Sequence, residues 1–556
     1  TTVIIEDLNF HTGELADAIF DLKKLLTKYS YKDSFIWGHA LSGNIHFVIT
    51  PKLDTQNEIS AYDSFMKEIA KLVVEKYDGS LKAEHGTGRN MAPFVKYEWG
   101  EELYDIMKEI KEVFNPDNIM NPGVIINSDN AIHLKNIKSF PIAYDKIDKC
   151  TECGFCESTC PSKDLTLTPR QRIVIIRKLA SENKPFKFIG KRAYVSKQMN
   201  YNFESTCAVD GLCAVSCPVD INVGDLVKDY RSLYHYKASS YLASFFANNF
   251  GISIKTIRGI LKITDSIRTL FGESLLEVAS NLLSEISLKK IPLWHHFIPK
   301  AQNKISLTSN NLEQQVVYFP SCTNRIFGEY ADEEKSQSVF NSVQNVLTSA
   351  GYNIIMPSNV NNLCCGLSFE SKGYFRQGLQ KCEELFSALM SISNNGQYSI
   401  LFDTSPCANH FKDYVRSHNK NSLQLFDPID FIHEKIMNKI ELQQLDDTVA
   451  VHPVCSSKKA GNSKLLIDIA EHCAKKVITT EGIECCGFAG DRGFSYPELN
   501  KSALEKLPVR ISKECKTGYS TSRTCEIGLS INSGVYFNSI FNLLERSISA
   551  NNNSAD

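Results

Sequence analysis

The sequence predicts a multidomain chain of α+β and α/β architecture, and three observations predict it. At 556 residues, the chain has room for about three to five domains. Residues 1–127 and 313–546 alternate strand-like and helix-like patterns. Between them, 145–235 carries cysteines at metal-ligand spacing and 236–312 carries helical apolar periodicity.

Composition narrows the function classes. The 61 basic and 63 acidic residues are interspersed, and the net charge of −2 offers no basic stripe for nucleic acid. No apolar run reaches the roughly 18 residues of a membrane span. Eighteen cysteines outside the cell would suggest disulfides, but their clustering argues for metal binding in a reducing compartment. A cytoplasmic location is therefore expected.

The N-terminal stretch opens at Thr1, without an initiator Met or signal peptide, in a strand-like run. It holds WGHALSGNIHFVI at 37–49 and KAEHGTGRN at 82–90. His39 and His46 flank a glycine-containing turn, and Glu84 precedes His85. Two histidines and a carboxylate form a common divalent-metal set with positions left for substrate. Read alone, a histidine before an apolar strand is equally a core or capping residue.

A polar connector with the turn Asn127-Ser128-Asp129-Asn130 leads to Cys150, Cys153, Cys156 and Cys160-Pro161. C-x2-C-x2-C-x3-C-P is the spacing of a two-cluster, ferredoxin-type iron–sulfur segment, whose fourth cysteine serves the other cluster. Structural zinc usually takes two separated pairs instead. Cys207, Cys213 and Cys217-Pro218 repeat the pattern with Asp210 in the second ligand position. The expected sets are Cys150, Cys153, Cys156 and Cys217 for one cluster, and Cys160, Cys207 and Cys213 for the other. Asp210 then either ligates the fourth iron, leaves a three-iron cluster with that corner empty, or begins an Asp-Gly turn.

Residues 236–312 place Leu261, Ile267, Leu270, Leu275 and Leu282 at helical spacing. Trp294-His295-His296-Phe297 reads as a loop, with a membrane-surface contact as the alternative. The polar run Thr308-Ser309-Asn310-Asn311 opens an internal repeat. Its first copy, 313–445, holds VVYFPSC ending at Cys322, then Cys364-Cys365-Gly366, then DTSPC ending at Cys407. The second, 446–546, holds VAVHPVC ending at Cys455, then Cys485-Cys486-Gly487, then STSRTC ending at Cys525. The runs 316–319, 400–402 and 449–451 read as buried strands, and 338–347 and 465–473 as helices. Cysteines at strand ends sit where open α/β sheets present ligands. Adjacent cysteines rarely bond each other, so Cys-Cys-Gly reads as a cluster cradle whose glycine admits a bulky inorganic core. Cys382, Cys473 and Cys515 stand alone and read as small buried hydrophobes. The tail Asn551-Asn552-Asn553-Ser554 reads as disordered.

These motifs carry family resemblances. The repeat resembles the cysteine-rich CCG domain of heterodisulfide reductase subunits and of glycolate and lactate oxidation systems, which binds an iron–sulfur cluster or performs thiol redox chemistry. The family form often ends in C-x2-C, and Thr404 and Ser522 stand at the first of those positions here. Each lobe keeps four cysteines, so a four-thiolate cluster fits the resemblance and a five-cysteine site does not. GH-x3-GN-x-HF, EHG-x-G and FNPDNIMNPG at 114–123 resemble the C-terminal cap domain of FAD-linked oxidases of the vanillyl-alcohol-oxidase type. That resemblance implies a divalent metal (zinc or manganese) on His39, His46 and Glu84, His85 as catalytic base, and Asn44 near FAD. Ser42 stands where many relatives carry Asp.

The order of cap, 4Fe-4S segment, helical region and two CCG lobes resembles the fused FAD and iron–sulfur D-lactate dehydrogenases of bacteria. CCGFAGDRGF, PEL and STSRTCEIGLS strengthen the likeness. The family's N-terminal FAD-binding domain and upstream substrate-binding basic residues have no counterpart here. The resemblance thus implies the C-terminal part of a longer polypeptide, or one half of a split enzyme. It implies oxidation of a D-2-hydroxy acid, D-lactate first, with electrons passing through 4Fe-4S clusters to a respiratory quinone or cytochrome. Location on the inner face of the cytoplasmic membrane would suit such an acceptor. The alternatives are an electron-transfer module without dehydrogenase activity and a thiol-disulfide reductase working at the CCG lobes.

Overall fold

The computed structural model describes residues 3–53, 55–137, 141–181, 200–233, 235, 237–287, 289, 291–307, 312–331, 333, 337–511 and 514–553. The expected opening turn at 308–311 lies outside them. The chain divides into two compact units, Thr1–Ala143 and Tyr144–Asp556.

The first unit is built on an antiparallel sheet of β1 (Ile4–Asn9), β2 (Phe35–His39) and β3 (Asn44–Ile49), in the order β1-β3-β2. Side chains alternate across a strand. Ile45, Phe47 and Ile49 enter a core with Leu8, Leu22, Phe65 and Ile69, the last three from or against helices Leu15–Lys28 and Gln56–Lys71. The second helix starts in a capping box between Thr55 and Glu58, which satisfies two otherwise orphaned backbone donors. The alternate positions form a polar face. Across it, Asp7 pairs with His46 and Trp37 in one row, and Asn9 pairs with Asn44 and His39 in the next. Gly43 makes the β2–β3 turn at φ +69°, where a Cβ would lie 1.9 Å from the Phe10 carbonyl oxygen.

The second unit contains two parallel four-stranded sheets. One has the order β5-β4-β6-β7, from β4 (Gln314–Phe319), β5 (Tyr352–Ile355), β6 (Ser399–Phe402) and β7 (Leu425–Phe426). The other has the order β9-β8-β10-β11, from β8 (Leu445–Val451), β9 (Ala474–Thr479), β10 (Thr517–Ser520) and β11 (Tyr536–Ser539). Each sheet runs second-first-third-fourth along its lobe, so the sequence repeat is a repeat of topology. Both lobes contribute to one apolar core, in which Val316, Tyr318 and Leu401 meet Val449, Val451 and Tyr519. The helices expected over 338–347 and 465–473 are Val339–Ser349, capped by Ser338, and Ser463–Cys473.

One reading changes and two gain detail. Helix Ile540–Asn553 carries the chain through the tail expected to be disordered, packing against Val339–Ser349; Ser554 lies outside the described residues. Lys237–Asn248, Phe250–Phe271 and Glu273–Ile286 are helices as the periodicity predicts. Leu261 is buried, but Leu270, Leu275 and Leu282 stay exposed beside Ile257, Ile260 and Ile263. The stripe therefore faces outward over most of its length. The 294–297 segment is a loop, as expected, with Trp294, His295 and His296 partly buried and Phe297 5% exposed, its ring meeting Tyr536 at 4.8 Å. Among the described residues, no helix is long and apolar enough to cross a membrane.

Candidate active site and cysteine centres

The polar face of the first unit brings His39, His46 and Glu84 together. Glu84 Oε1 is 2.8 Å from His46 Nε2 and 3.4 Å from His39 Nε2. Around a tetrahedral ion with bonds of about 2.0–2.1 Å, donors would lie roughly 3.3 Å apart. The three donor atoms lie within 4.8 Å of one another, so the set fits one divalent ion with little movement. His46 is 3% exposed and anchors the set, while His39 and Glu84 open to solvent. His85 stacks on His46 at 4.5 Å, with its Nε2 3.6 Å from Glu84 Oε1. His39 and Glu84 line an open cavity of about 550 Å³ together with Asn9, Ser42, Asn44 and Lys82. Asn44 is buried on this wall and its Oδ1 has no hydrogen-bond partner. An orphaned acceptor beside a cavity fits a polar group of a bound cofactor or substrate.

Two residues of this site were not singled out from the sequence. Asp7 is fully buried, and its Oδ2 accepts hydrogen bonds from the backbone N–H groups of Ala83, Glu84 and His85. Its Oδ1 lies 3.3 Å from Lys82 Nζ and 3.9 Å from His85 Nδ1. Burial pushes the Asp7 pKa up, but the N–H groups of Glu84 and His85 and the Lys82 charge hold it below the usual carboxylate range. Asp7 thus shapes the loop that carries the candidate ligand and base. Lys82 lines the cavity, but its charge is shared between Glu6 and Asp7. For Asp7 the signal was its register opposite His46 across β1 and β3, which needs the pairing to be known; Lys82 lies in a loop.

In the second unit, Cys156 lies in the field of Cys150 and Cys217, and Cys150 in that of Cys153. Cys213 lies in the field of Cys207 and Asp210, and Cys160 in that of Asp210. Cys217 of the second motif thus lies near Cys156 of the first, and Cys160 of the first lies near Asp210 of the second. Burial pushes Cys156 up to about 11 and also raises Cys150 and Cys160. Arg231 tethers this segment: its Nε donates to Glu204 Oε1 at 2.7 Å and one Nη donates to the Cys207 carbonyl oxygen at 3.1 Å. Arg492 also binds Glu204.

The lobe cysteines converge where the strands end. Cys322 and Cys455 open helices Cys322–Ile326 and Cys455–Ala460 directly after β4 and β8. Cys407 and Cys525 lie in the first turns of Ser405–Ser417 and Arg523–Ser533, after β6 and β10. Interacting thiols run from Cys322 through Cys364 and Cys365 to Cys407, and from Cys455 through Cys485 and Cys486 to Cys525. Neighbouring thiols and burial push Cys322, Cys365, Cys455, Cys485 and Cys486 up, while Cys322 and Cys365 hold Cys364 down. Four crowded thiolates need a cationic core. Four cysteines in each lobe are the donor number that either one zinc ion or an iron–sulfur core takes.

The glycine of each cradle has a different role from the one expected. Gly366 and Gly487 adopt φ +88° and +69°, and a Cβ would meet Gly378 O at 2.5 Å and Leu499 O at 2.8 Å. They let the turn press on a neighbouring helix rather than on the cluster. Cys473 and Cys515 sit in apolar cores as expected. Cys382 lies beneath the first cradle, its thiol donating to the Cys365 carbonyl oxygen at 3.1 Å.

Comparison with known proteins agrees with this division. Residues 1–125 match the family of FAD linked oxidases, C-terminal domain. Residues 149–222 match the 4Fe-4S dicluster domain. The chain is 30% identical over 128 residues to glycolate oxidase subunit GlcD of Bacillus subtilis, covering 23% of this chain and 27% of that protein. It is 25% identical over 307 residues to D-2-hydroxyglutarate dehydrogenase of Pseudomonas putida, covering 45% and 29%. A mitochondrial protein of Schizosaccharomyces pombe named as a D-lactate dehydrogenase is 30% identical over 125 residues, covering 21% and 23%. The chain thus spans between a fifth and a third of the length of these relatives, and it carries an FAD-oxidase C-terminal domain and a 4Fe-4S dicluster domain.

Proposed function

We propose that this chain is the substrate-facing and electron-conducting part of an FAD-dependent D-2-hydroxy-acid dehydrogenase, with D-lactate as the first substrate. The observation that carries the reading is the meeting of His39, His46, Glu84 and His85 beside the cavity that His39 and Glu84 line, in a segment that matches the FAD-linked oxidase C-terminal domain, on a chain that also matches a 4Fe-4S dicluster domain. His39, His46 and Glu84 would hold zinc or manganese, which polarises the substrate hydroxyl and lowers its pKa. FAD, when bound beside Asn44, supplies the acceptor for the α-hydrogen and its electron pair.

The chain's own residues manage the proton. His85 Nε2 takes the hydroxyl proton as general base. Nδ1 faces the fixed Asp7 carboxylate at 3.9 Å, an electrostatic separation rather than a hydrogen bond. Asp7 also clamps the loop from below and limits how far the ring can turn. The iron–sulfur clusters would carry electrons singly, from Cys150, Cys153, Cys156 and Cys217 through the Cys160 set to the lobes. A quinone or cytochrome would receive them. Substitution of His85 by Ala tests the reading. Turnover of D-lactate should fall at least 100-fold, while reduction of the clusters by an artificial donor should survive. Unchanged turnover would remove His85 from the chemistry.

A further inference from the structure

The second ferredoxin-type motif reads CAVDGLCAVSC at 207–217, and its carboxylate faces two ways. Asp210 Oδ1 accepts the Leu212 N–H at 2.9 Å, the Asp-Gly turn reading of the sequence. Gly211 follows at φ +78° and caps helix Leu212–Val215. Oδ2 is buried and has no hydrogen-bond partner. The residue that aims this carboxyl, Val209, sits at φ +54°. A β-branched side chain adopts that conformation only under strain imposed by its surroundings.

Lobe two lies on the other side. Helix Cys455–Ala460 packs against Leu212–Val215, and a Cβ on Gly211 would stand 3.3 Å from Lys459 Nζ. The Asp210 carboxyl interacts with the Cys485 thiol, and its charge is felt by Cys455 and Cys485 as well as by Cys160 and Cys213. Lys459 also acts on both Asp210 and Cys455, so carboxyl, ammonium and thiols meet at one place. Ser522 stands where the CCG form often carries a further cysteine. Lobe one differs: a buried arginine, Arg325, faces Cys322 and Cys364 there.

We propose that Asp210 is an oxygen ligand to iron in the lobe-two cysteine site, supplied by the dicluster segment through Oδ2. The second ferredoxin-type site then keeps three thiolates, Cys160, Cys207 and Cys213, and holds a three-iron cluster. A hard carboxylate on one iron of an otherwise thiolate-bound core gives that iron a distinct electronic signature. The proposal rests on the cluster reading of both cysteine sets.

The test is Mössbauer and EPR spectroscopy of full-length protein reconstituted anaerobically with isotopic iron. In the unaltered protein, a three-iron EPR signal and one oxygen-ligated iron are expected. Asp210→Ala should abolish the oxygen-ligated iron and leave the three-iron signal intact. Asp210→Cys should convert that iron to thiolate ligation, again without changing the three-iron signal. Cys486→Ser should remove the oxygen-ligated iron together with the rest of the lobe-two signal. Conversion of a three-iron to a four-iron cluster in Asp210→Cys, with lobe two unchanged, would overturn the proposal and return Asp210 to the ferredoxin corner. Absence of any lobe-two iron in the unaltered protein would overturn the cluster reading itself, independently of Asp210.

Discussion

Replacing Asp7 tests how the loop at 83–85 is held. Its Oδ2 accepts three backbone N–H groups, and hydrogen bonds to a charged acceptor contribute about 1.5–3 kcal/mol each. Residues 83–85 are themselves exposed, so water takes over part of what is lost. A local cost of about 3–4 kcal/mol is expected for Asp7→Ala. That corresponds to roughly 100- to 1,000-fold faster amide exchange of 83–85 if their opening becomes local. Asp7→Asn keeps one acceptor oxygen but loses the charge, and charge-assisted bonds are about twice as strong as neutral ones, so it should fall midway. Hydrogen exchange by mass spectrometry on the whole protein reads this directly. Divalent-metal affinity should fall with it by about 10–100-fold, as for other groups that orient ligands. Unchanged exchange at 83–85 in a folded Asp7→Ala protein would refute the argument that Asp7 holds the loop.

Other substitutions probe separate parts. Glu84→Gln removes the one carboxylate of the His39, His46 and Glu84 set, and calorimetric zinc titration should show at least a 100-fold weaker site. Glu204 is held down to about 2 by Arg492 and Arg231 against the upward push of burial. From the ordinary glutamate value of 4.5, that is on the order of 3 kcal/mol of stability. A depressed carboxylate stabilises above its unfolded pKa, so the contribution is present above about pH 4.5 and lost as pH falls toward 2. Glu204→Gln should therefore melt earlier at pH 7 and show a shallower acid limb in thermal scans. Gly366→Ala forces a Cβ to within 2.5 Å of Gly378 O at positive φ; the expected cost is at least about 1–3 kcal/mol. Iron content should fall by one lobe's share, whereas Cys473→Ala should leave it unchanged.

The ferredoxin-type motifs were legible because their cysteines lie close in sequence, and a spacing of two or three residues already states a geometry; the lobe cysteines showed themselves only because their pattern occurs twice. The repeat revealed the strand order for the same reason: Cys322 and Cys455 follow equivalent strands. His39 and His46 were visible because both border one β-turn. Asp7 was not, since its role depends on β1 pairing with β3 and on a loop some 75 residues away. A lone aspartate in a strand carries no sign of that contact. The cradle glycines were located correctly but for the wrong neighbour, because sequence shows a tight turn and not what presses on it. The exposed stripe on 250–286 shows the limit of periodicity, which predicts a helix but not whether its apolar side is covered.

The most direct measurement is an anaerobic titration of the FAD-loaded enzyme containing this chain with D-lactate, following flavin absorbance and cluster EPR together. The account predicts flavin bleaching, then reduced-cluster signals, with both responses lost in His85→Ala. Clusters that stay oxidised with D-lactate, glycolate and D-2-hydroxyglutarate, yet reduce with dithionite, would contradict it and leave an electron-transfer module.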